Sequence, residues 1–134
     1  MKYRLMDILA CPMCKSFPLE LIVLSERSLE GVEAPEGFRC SEYCGLKRSF
    51  LKELAGEPDC RGCFKLEVVE GVLYCPDCGR WYPIIDEIPR MLPDKLREKK
   101  EIKDVELAFL RKHADELPDK IVREGRPFSL QAED

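Results

Sequence analysis

Eight cysteines in 134 residues fall into four close pairs, and this pairing constrains the fold more than any other feature of the chain. The pairs are Cys11/Cys14, Cys40/Cys44, Cys60/Cys63 and Cys75/Cys78. The outer two share a phrase, Cys11-Pro12-Met13-Cys14 and Cys75-Pro76-Asp77-Cys78, while the inner two lack the proline and differ from each other. One four-cysteine set is therefore nested inside another. A C-x-x-C turn presents two sulfurs from one tight bend. The proline fixes a backbone dihedral after the first ligand, and Gly79 permits a left-handed bend after the second. Two such turns supply four soft donors for a tetrahedral zinc with sulfur at about 2.3 Å. Four thiolates fill that sphere and leave no position for water, so the site predicted at Cys11, Cys14, Cys75 and Cys78 is structural, not catalytic. Reduced core cysteines are a weaker reading given the pairing and the C-x-x-C spacing, and a redox dithiol is weaker still, because neither pair stands in a βαβ context. Iron is an alternative, since similar turns occur in rubredoxins, but the long separation of the pairs argues against that fold.

The inner pairs leave more open. Cys40, Cys44, Cys60 and Cys63 have the spacing C-x3-C-x15-C-x2-C, which suits a second zinc. Disulfides of the kind found in intracellular proteins of hyperthermophiles, or free thiols, are equally compatible. A metal or a disulfide would have the same job, because so small an insertion cannot bury enough surface to fold alone.

Composition narrows the function classes. Hydrophobic residues are 45% of the chain, enough for a core, and charged residues are 36%. The net charge is −4 with every cysteine neutral, and a zinc on four thiolates adds about −2 more. An acidic chain gains nothing by neutralising phosphates, which disfavours direct nucleic-acid binding. No run of about 18 apolar residues suggests a membrane span, and residues 1–10 do not read as a signal peptide. The expected location is cytoplasmic.

The pattern along the chain predicts an α+β fold: a zinc-ribbon β-domain with an inserted small helical subdomain and a C-terminal helix. Residues 1–30 and 65–93 form the ribbon, 31–64 the insertion and 94–134 the helix and tail. Leu5, Ile8 and Leu9 have helical spacing, with Asp7 placed to cap a short turn. Residues 17–24 read as a strand and 25–37 as loop. Residues 41–55 read as a helix capped by Ser41 and stopped by Gly56 and Pro58. Residues 66–69 and 72–74 read as a hairpin turning at Glu70-Gly71, and 81–85 as a third strand. Residues 94–117 read as one solvated amphipathic helix of mixed charge, with Ile102, Val105 and Phe109 on its apolar stripe and Pro118 ending it. The tail after Pro127 is expected to be mobile.

Two segments then resemble a known family. Residues 1–14, ending Asp7-Ile8-Leu9-Ala10-Cys11-Pro12-Met13-Cys14, resemble the start of the multifunctional methyltransferase activator subunits of archaea and eukaryotes. Residues 70–93, with Tyr82-Pro83-Ile84 and Ile88-Pro89-Arg90-Met91-Leu92-Pro93 after the second cysteine pair, resemble their second half. Glu87 stands where many relatives carry glycine. The resemblance, of archaeal type, implies a non-catalytic subunit that forms heterodimers with S-adenosylmethionine-dependent methyltransferases and stabilises them. Those enzymes act on tRNA, ribosomal RNA or a translation release factor, so nucleic acid is met through the partner alone. The activator holds no S-adenosylmethionine.

The residues themselves agree with an absence of catalytic machinery. No nucleophile–base arrangement or glycine-rich phosphate loop is evident. His113, the single histidine, reads as a solvated side chain on a charged helix face. Apolar residues flank both outer pairs: Leu5, Ile8 and Leu9 before the first, and Trp81, Ile84, Ile85, Ile88, Met91 and Leu92 after the second. They are candidates equally for core and for a partner interface, in which residues 81–85 and 88–92 extend the enzyme's sheet. The competing classes are a nucleic-acid-binding zinc ribbon, which needs a basic face with exposed aromatics, and a redox protein using the inner pairs.

Overall fold

Strand residues that are apolar at every position, not alternate ones, must be covered on both sides. Trp81-Tyr82-Pro83-Ile84 are all buried, as are Gly71-Val72-Leu73-Tyr74. In a computed structural model, described here for residues 1–130, these segments form the centre of a four-stranded antiparallel sheet ordered β1-β4-β5-β6. Its strands are β1 (Glu20–Ser28), β4 (Leu66–Tyr74), β5 (Trp81–Ile85) and β6 (Ile88–Pro89). Between β1 and β4 lie a two-stranded hairpin, β2 (Tyr43–Cys44) with β3 (Ser49–Phe50), and a short helix α1 (Cys60–Phe64). After β6 come α2 (Asp94–Arg97), α3 (Lys100–His113) and α4 (Asp119–Val122).

The sheet separates two apolar clusters. On one face Leu21, Val68, Leu73, Tyr82 and Ile84 pack with Met1, Tyr3 and Met6 of the N-terminal 3-10 turn, Tyr3–Asp7. On the other, Val72, Tyr74 and Trp81 pack with Phe109, Leu110, Leu117, Ile121, Val122 and Leu130 of the C-terminal segment. Each face alone would leave one side of β4 and β5 in water.

The hairpin expected at Glu70-Gly71 is absent: β4 runs unbroken from Leu66 to Tyr74. Gly71 lies in mid-strand, between Val23 of β1 and Ile84 of β5. A Cβ there would stand 2.5 Å from the Ile22 carbonyl oxygen, so the glycine serves a close backbone approach, not a turn. Beside it the β1–β4 register slips twice, passing over Leu24 on one strand and Val69 on the other. The slip exchanges the faces of the two halves of β4 and brings Val68 onto the same side as Leu73. The Val69 carbonyl accepts from the Glu87 N–H at 2.9 Å.

The true tight turn is Asp86-Glu87, joining β5 to β6 with both residues at positive φ, 50° and 72°. Glu87 thus occupies the glycine-favouring conformation, and it is held from outside. Its carbonyl accepts from the Met1 nitrogen at 2.7 Å and its carboxylate pairs with Arg27. Pro83 lies in an inner strand, but its carbonyl accepts from Arg90, so its missing N–H faces the β6 side. The ladder to β4 stays intact, and β6 ends at Pro89.

Three further expectations are corrected. Residues 41–55 contain no helix; they form the β2–β3 hairpin and a 3-10 turn, Leu51–Glu53, so the helical insertion is mostly hairpin. Asp7 is the reason. Its carboxylate accepts from the N–H groups of Ser41, Glu42 and Tyr43, at 2.8, 2.7 and 2.8 Å, and so takes the place that Ser41 was expected to hold as a helix cap. The 94–117 helix is interrupted between Arg97 and Lys100, and Val105 is 45% exposed while Glu106, Phe109, Leu110 and His113 face inward. The tail expected to be mobile after Pro127 keeps Phe128, Ser129 and Leu130 against the second cluster, and residues 131–134 lie outside the described residues.

Gly71→Ala should lower the urea midpoint, with a loss of about 1–3 kcal/mol. A neutral or stabilising effect in equilibrium unfolding would mean that the strand bends away from Ile22.

Candidate metal centre

The first outer turn precedes β1 and the second joins β4 to β5, so the sheet carries the two turns on adjacent connections. They are built alike. Cys11 N–H donates to the Ser16 carbonyl at 3.0 Å and Lys15 N–H to the Cys11 carbonyl at 2.8 Å. At the second turn Cys75 N–H donates to Arg80 at 2.8 Å and Gly79 N–H to Cys75 at 2.9 Å. The residue after each second cysteine is left-handed, Lys15 at φ 69° and Gly79 at φ 77°. Sequence reading found this bend only where glycine marks it.

The turns bring the four sulfurs together. Cys11 Sγ lies 3.7 Å from Cys78 Sγ, and Cys14 Sγ 3.4 Å from Cys75 Sγ. All four are within 4.8 Å of one another. A tetrahedral ion with metal–sulfur bonds of about 2.3 Å sets its sulfurs about 3.8 Å apart, so these four thiols are placed to hold one metal ion. Cys11 and Cys75 are fully buried, Cys78 half-buried and Cys14 exposed.

The surroundings sort the thiols. Contacts with the Ser16 hydroxyl, at 3.4 Å, and with the Ser16 backbone lower the exposed Cys14 thiol to about 6. Burial pushes Cys75 up to about 12, against the pull of N–H groups from Cys78 and Asp77. Burial also opposes ionisation of Cys11, yet the N–H groups of Cys14 and Met13 and the Tyr82 hydroxyl, 3.1 Å from its sulfur, bring it below its ordinary value. The inward-pointing Tyr82 was not among the residues expected at the site. Metal binding must displace the remaining protons, so affinity falls as pH falls.

The inner cysteines line a separate small cavity, and none of the eight cysteines is joined in a disulfide in this structure. Among the described residues, only the outer four appear as a cluster with every ligand atom within 4.8 Å.

The apolar flanks divide by burial. Trp81 and Ile84 are fully enclosed in this chain's own core and have no exposed side chain to offer a partner. Leu5, Leu9 and Met91 are partly buried against the first cluster, Ile85 against the second, and Leu92 is half-buried. Ile8 and Ile88 stand out, 72% and 60% exposed. Ile88 is on β6, the edge of the sheet.

A family model of Trm112p-like proteins matches residues 2–87, from the N-terminal turn to the β5–β6 turn. The chain belongs to the Trm112p-like family, the multifunctional methyltransferase activators. No curated protein matches it closely enough to add to that assignment. The matched span contains both halves of the outer site, the whole insertion and three of the four sheet strands. The C-terminal cover lies beyond it.

Sequence reasoning missed the groups that fasten this cover. Arg97 and Glu106 are fully buried and paired at 2.7 Å, where only solvated ion pairs were expected. The Arg97 guanidinium lies 4.9, 5.0 and 5.4 Å from the ring centroids of Trp81, Tyr82 and Phe128. Burial raises the Glu106 carboxyl in spite of that arginine. His113 is buried too, with its ring centroid 4.8 Å from that of Phe109 and Nε2 3.3 Å from Glu70, so its reading as a solvated residue is corrected. Nothing in the spacing of Arg97 and Glu106 signals their meeting, because the break between α2 and α3 creates it.

Cys75→Ser should strip the outer site of metal in elemental analysis and destabilise the chain by at least about 3 kcal/mol, a fraction of the ~10–16 kcal/mol linked to a structural zinc-type site. Full metal retention would mean that three thiols suffice. Asp7→Ala should cost about 2–3 kcal/mol and raise hydrogen exchange at Ser41–Tyr43. Burial alone would push the Asp7 carboxyl up, but the three N–H bonds outweigh it and leave it below its ordinary value. Its contribution is therefore present at neutral pH and lost as pH falls through that lowered value, and a pH titration of stability should show the acid-side loss shrink in the variant.

Proposed function

We propose that this chain is a non-catalytic, zinc-bearing subunit that binds and stabilises S-adenosylmethionine-dependent methyltransferases in the cytoplasm. Membership of the Trm112p-like family carries the reading. Four thiolates suit zinc, and a four-thiolate sphere has no open position, so the metal's role is architectural. It joins the two segments whose flanks present Ile8 and Ile88. The partner enzymes act on tRNA, ribosomal RNA or a release factor, and the chain meets nucleic acid through them. An acidic balance, net charge −4, is consistent with that division of labour.

Docking uses the exposed side of the β6 edge. Ile88 inserts into an apolar groove of the enzyme, and the main chain beyond it, through Met91 and Leu92, extends the enzyme's sheet. This narrows the interface expected from sequence: Trp81 and Ile84 act behind it as support. Covering the enzyme's apolar surface suppresses its aggregation and favours its cofactor-competent conformer.

Ile88→Asp should weaken co-purification with a co-expressed tRNA methyltransferase from the same cell by about tenfold or more, while Val105→Asp, on an exposed part of α3, leaves it unchanged. Equal recovery of enzyme with Ile88→Asp would sink this docking face.

A further inference from the structure

The insertion has little with which to hold itself together. Between β1 and β4 it contains two strands of two residues, a three-residue 3-10 turn and a five-residue helix. Such a segment needs a cross-link or a metal, or it must lean on a neighbour. It leans on the N-terminal turn through Asp7, and through Gly45, where a Cβ would collide with the Tyr3 carbonyl and stand 2.9 Å from the Met6 side chain.

Its four cysteines converge within it. Cys40 precedes the hairpin, Cys44 ends β2, and Cys60 and Cys63 are one helical turn apart on α1. That turn is capped by Asp59, whose carboxylate accepts from Gly62 N–H at 2.9 Å. All four line one cavity of about 10 Å³, the space of a single water molecule or ion. Arg4 and Phe38 are among its other walls.

We propose that Cys40, Cys44, Cys60 and Cys63 form a second zinc site, separate from the one at Cys11, Cys14, Cys75 and Cys78. Two features besides convergence support it. A backbone N–H already points at one of the sulfurs: Lys47 N–H meets Cys44 Sγ at 3.4 Å. Cys11 and Cys75 of the outer site receive the same kind of support. Such bonds stabilise thiolate charge and orient the ligand. The second feature is Arg4, whose guanidinium stacks 4.0 Å from the Phe64 ring centroid beside the cavity. A zinc on four thiolates carries about −2, and a neighbouring fixed cation offsets part of it. The inner sulfurs stand further apart than the outer four, so zinc draws the hairpin and α1 together as it binds. The coordination releases thiol protons and forms four zinc–sulfur bonds without redox change.

The test is the zinc count of the intact chain by native mass spectrometry, with thiols counted after acid unfolding in chelator. The expected result is two zinc ions and eight thiols per wild-type chain, falling to one zinc in Cys40→Ser/Cys60→Ser with the outer site filled. One zinc per wild-type chain overturns the proposal, whether the inner cysteines prove to be thiols or disulfides. Two zinc ions retained by the double variant overturn it as well. If that variant does not accumulate, the wild-type count decides alone.

Discussion

The junction of four sulfurs between the β1 approach and the β4–β5 connection is the constraint on which the rest of the molecule depends. Without it, residues 11–14 and 75–78 are joined by the Ser16–Asp77 hydrogen bond, by packing of the N-terminal turn on the sheet and by β1, whose far half is exposed and whose pairing with β4 is broken by two slips. The chain invests further contacts in the same place. Arg126 N–H donates to Gly79 at 2.9 Å, Trp81 N–H to Arg126 at 3.1 Å, and the Arg126 guanidinium reaches the Cys78 carbonyl at 3.3 Å. Arg80, inside the second turn, holds Asp94 at the start of α2 with a two-pronged ion pair. The N-terminal turn, the central strands and the C-terminal segment therefore all close on one small volume. An error in ligand placement would be felt at every element that leads to the exposed edge.

Because both sheet faces must be covered, the C-terminal segment is part of the scaffold although it lies outside the family match. Trp81 shows why. It is fully buried, donates its Nε1–H to the Phe128 carbonyl at 2.8 Å, and leaves no room for a side chain at Gly125, where a Cβ would stand 2.6 Å from its ring. The neighbouring Arg97–Glu106 pair is an expensive way to fasten a helix, since burying two charges costs several kcal/mol each before their attraction is counted. What the pair supplies is position. A guanidinium ringed by Trp81, Tyr82 and Phe128 has one place to sit, and it fixes α2 and α3 relative to β5, the strand behind the proposed docking edge.

Much of this was legible in the residues. The outer cysteines were found because metal chemistry demands their spacing, and β5 was placed at its observed bounds because Trp81–Ile85 is a bounded apolar run. The failures have physical causes. Glu70-Gly71 resembles a turn because glycine permits one, yet glycine also permits a neighbouring backbone to approach, and only the Ile22 carbonyl distinguishes the two. Ser41 and the apolar residues near Leu51 resemble a helix, but Tyr43-Cys44 pairs with Ser49-Phe50 as a hairpin, and its start is held by a carboxylate far away in sequence, Asp7. Lys15 was missed because its left-handed bend is imposed by the turn it closes. His113 and the Arg97–Glu106 pair were read as solvated because charge suggests exposure, and their burial depends on partners distant in sequence, Glu70 for His113 and Trp81 and Tyr82 for Arg97.

Asp7 also shows how the insertion can matter for function without forming part of the docking edge. Its carboxylate holds the hairpin, and Ile8, the most exposed large apolar side chain among the described residues, is next to it in the chain. The turn that ends at Asp7 and leads into Ile8, Tyr3–Asp7, is a 3-10 segment with few backbone bonds of its own, so its geometry is set by what packs around it. On one side that is the sheet, through Tyr3 and Met6. On the other it is the insertion, through Gly45 and the Asp7 bonds. A loosened insertion would free the side of the turn on which Ile8 is displayed, while Met1 and Tyr3 would still anchor its start to β4 and β1 through Val68 and Glu26. The effect would then be selective: the display of Ile8 changes while β6, paired with β5, keeps its place.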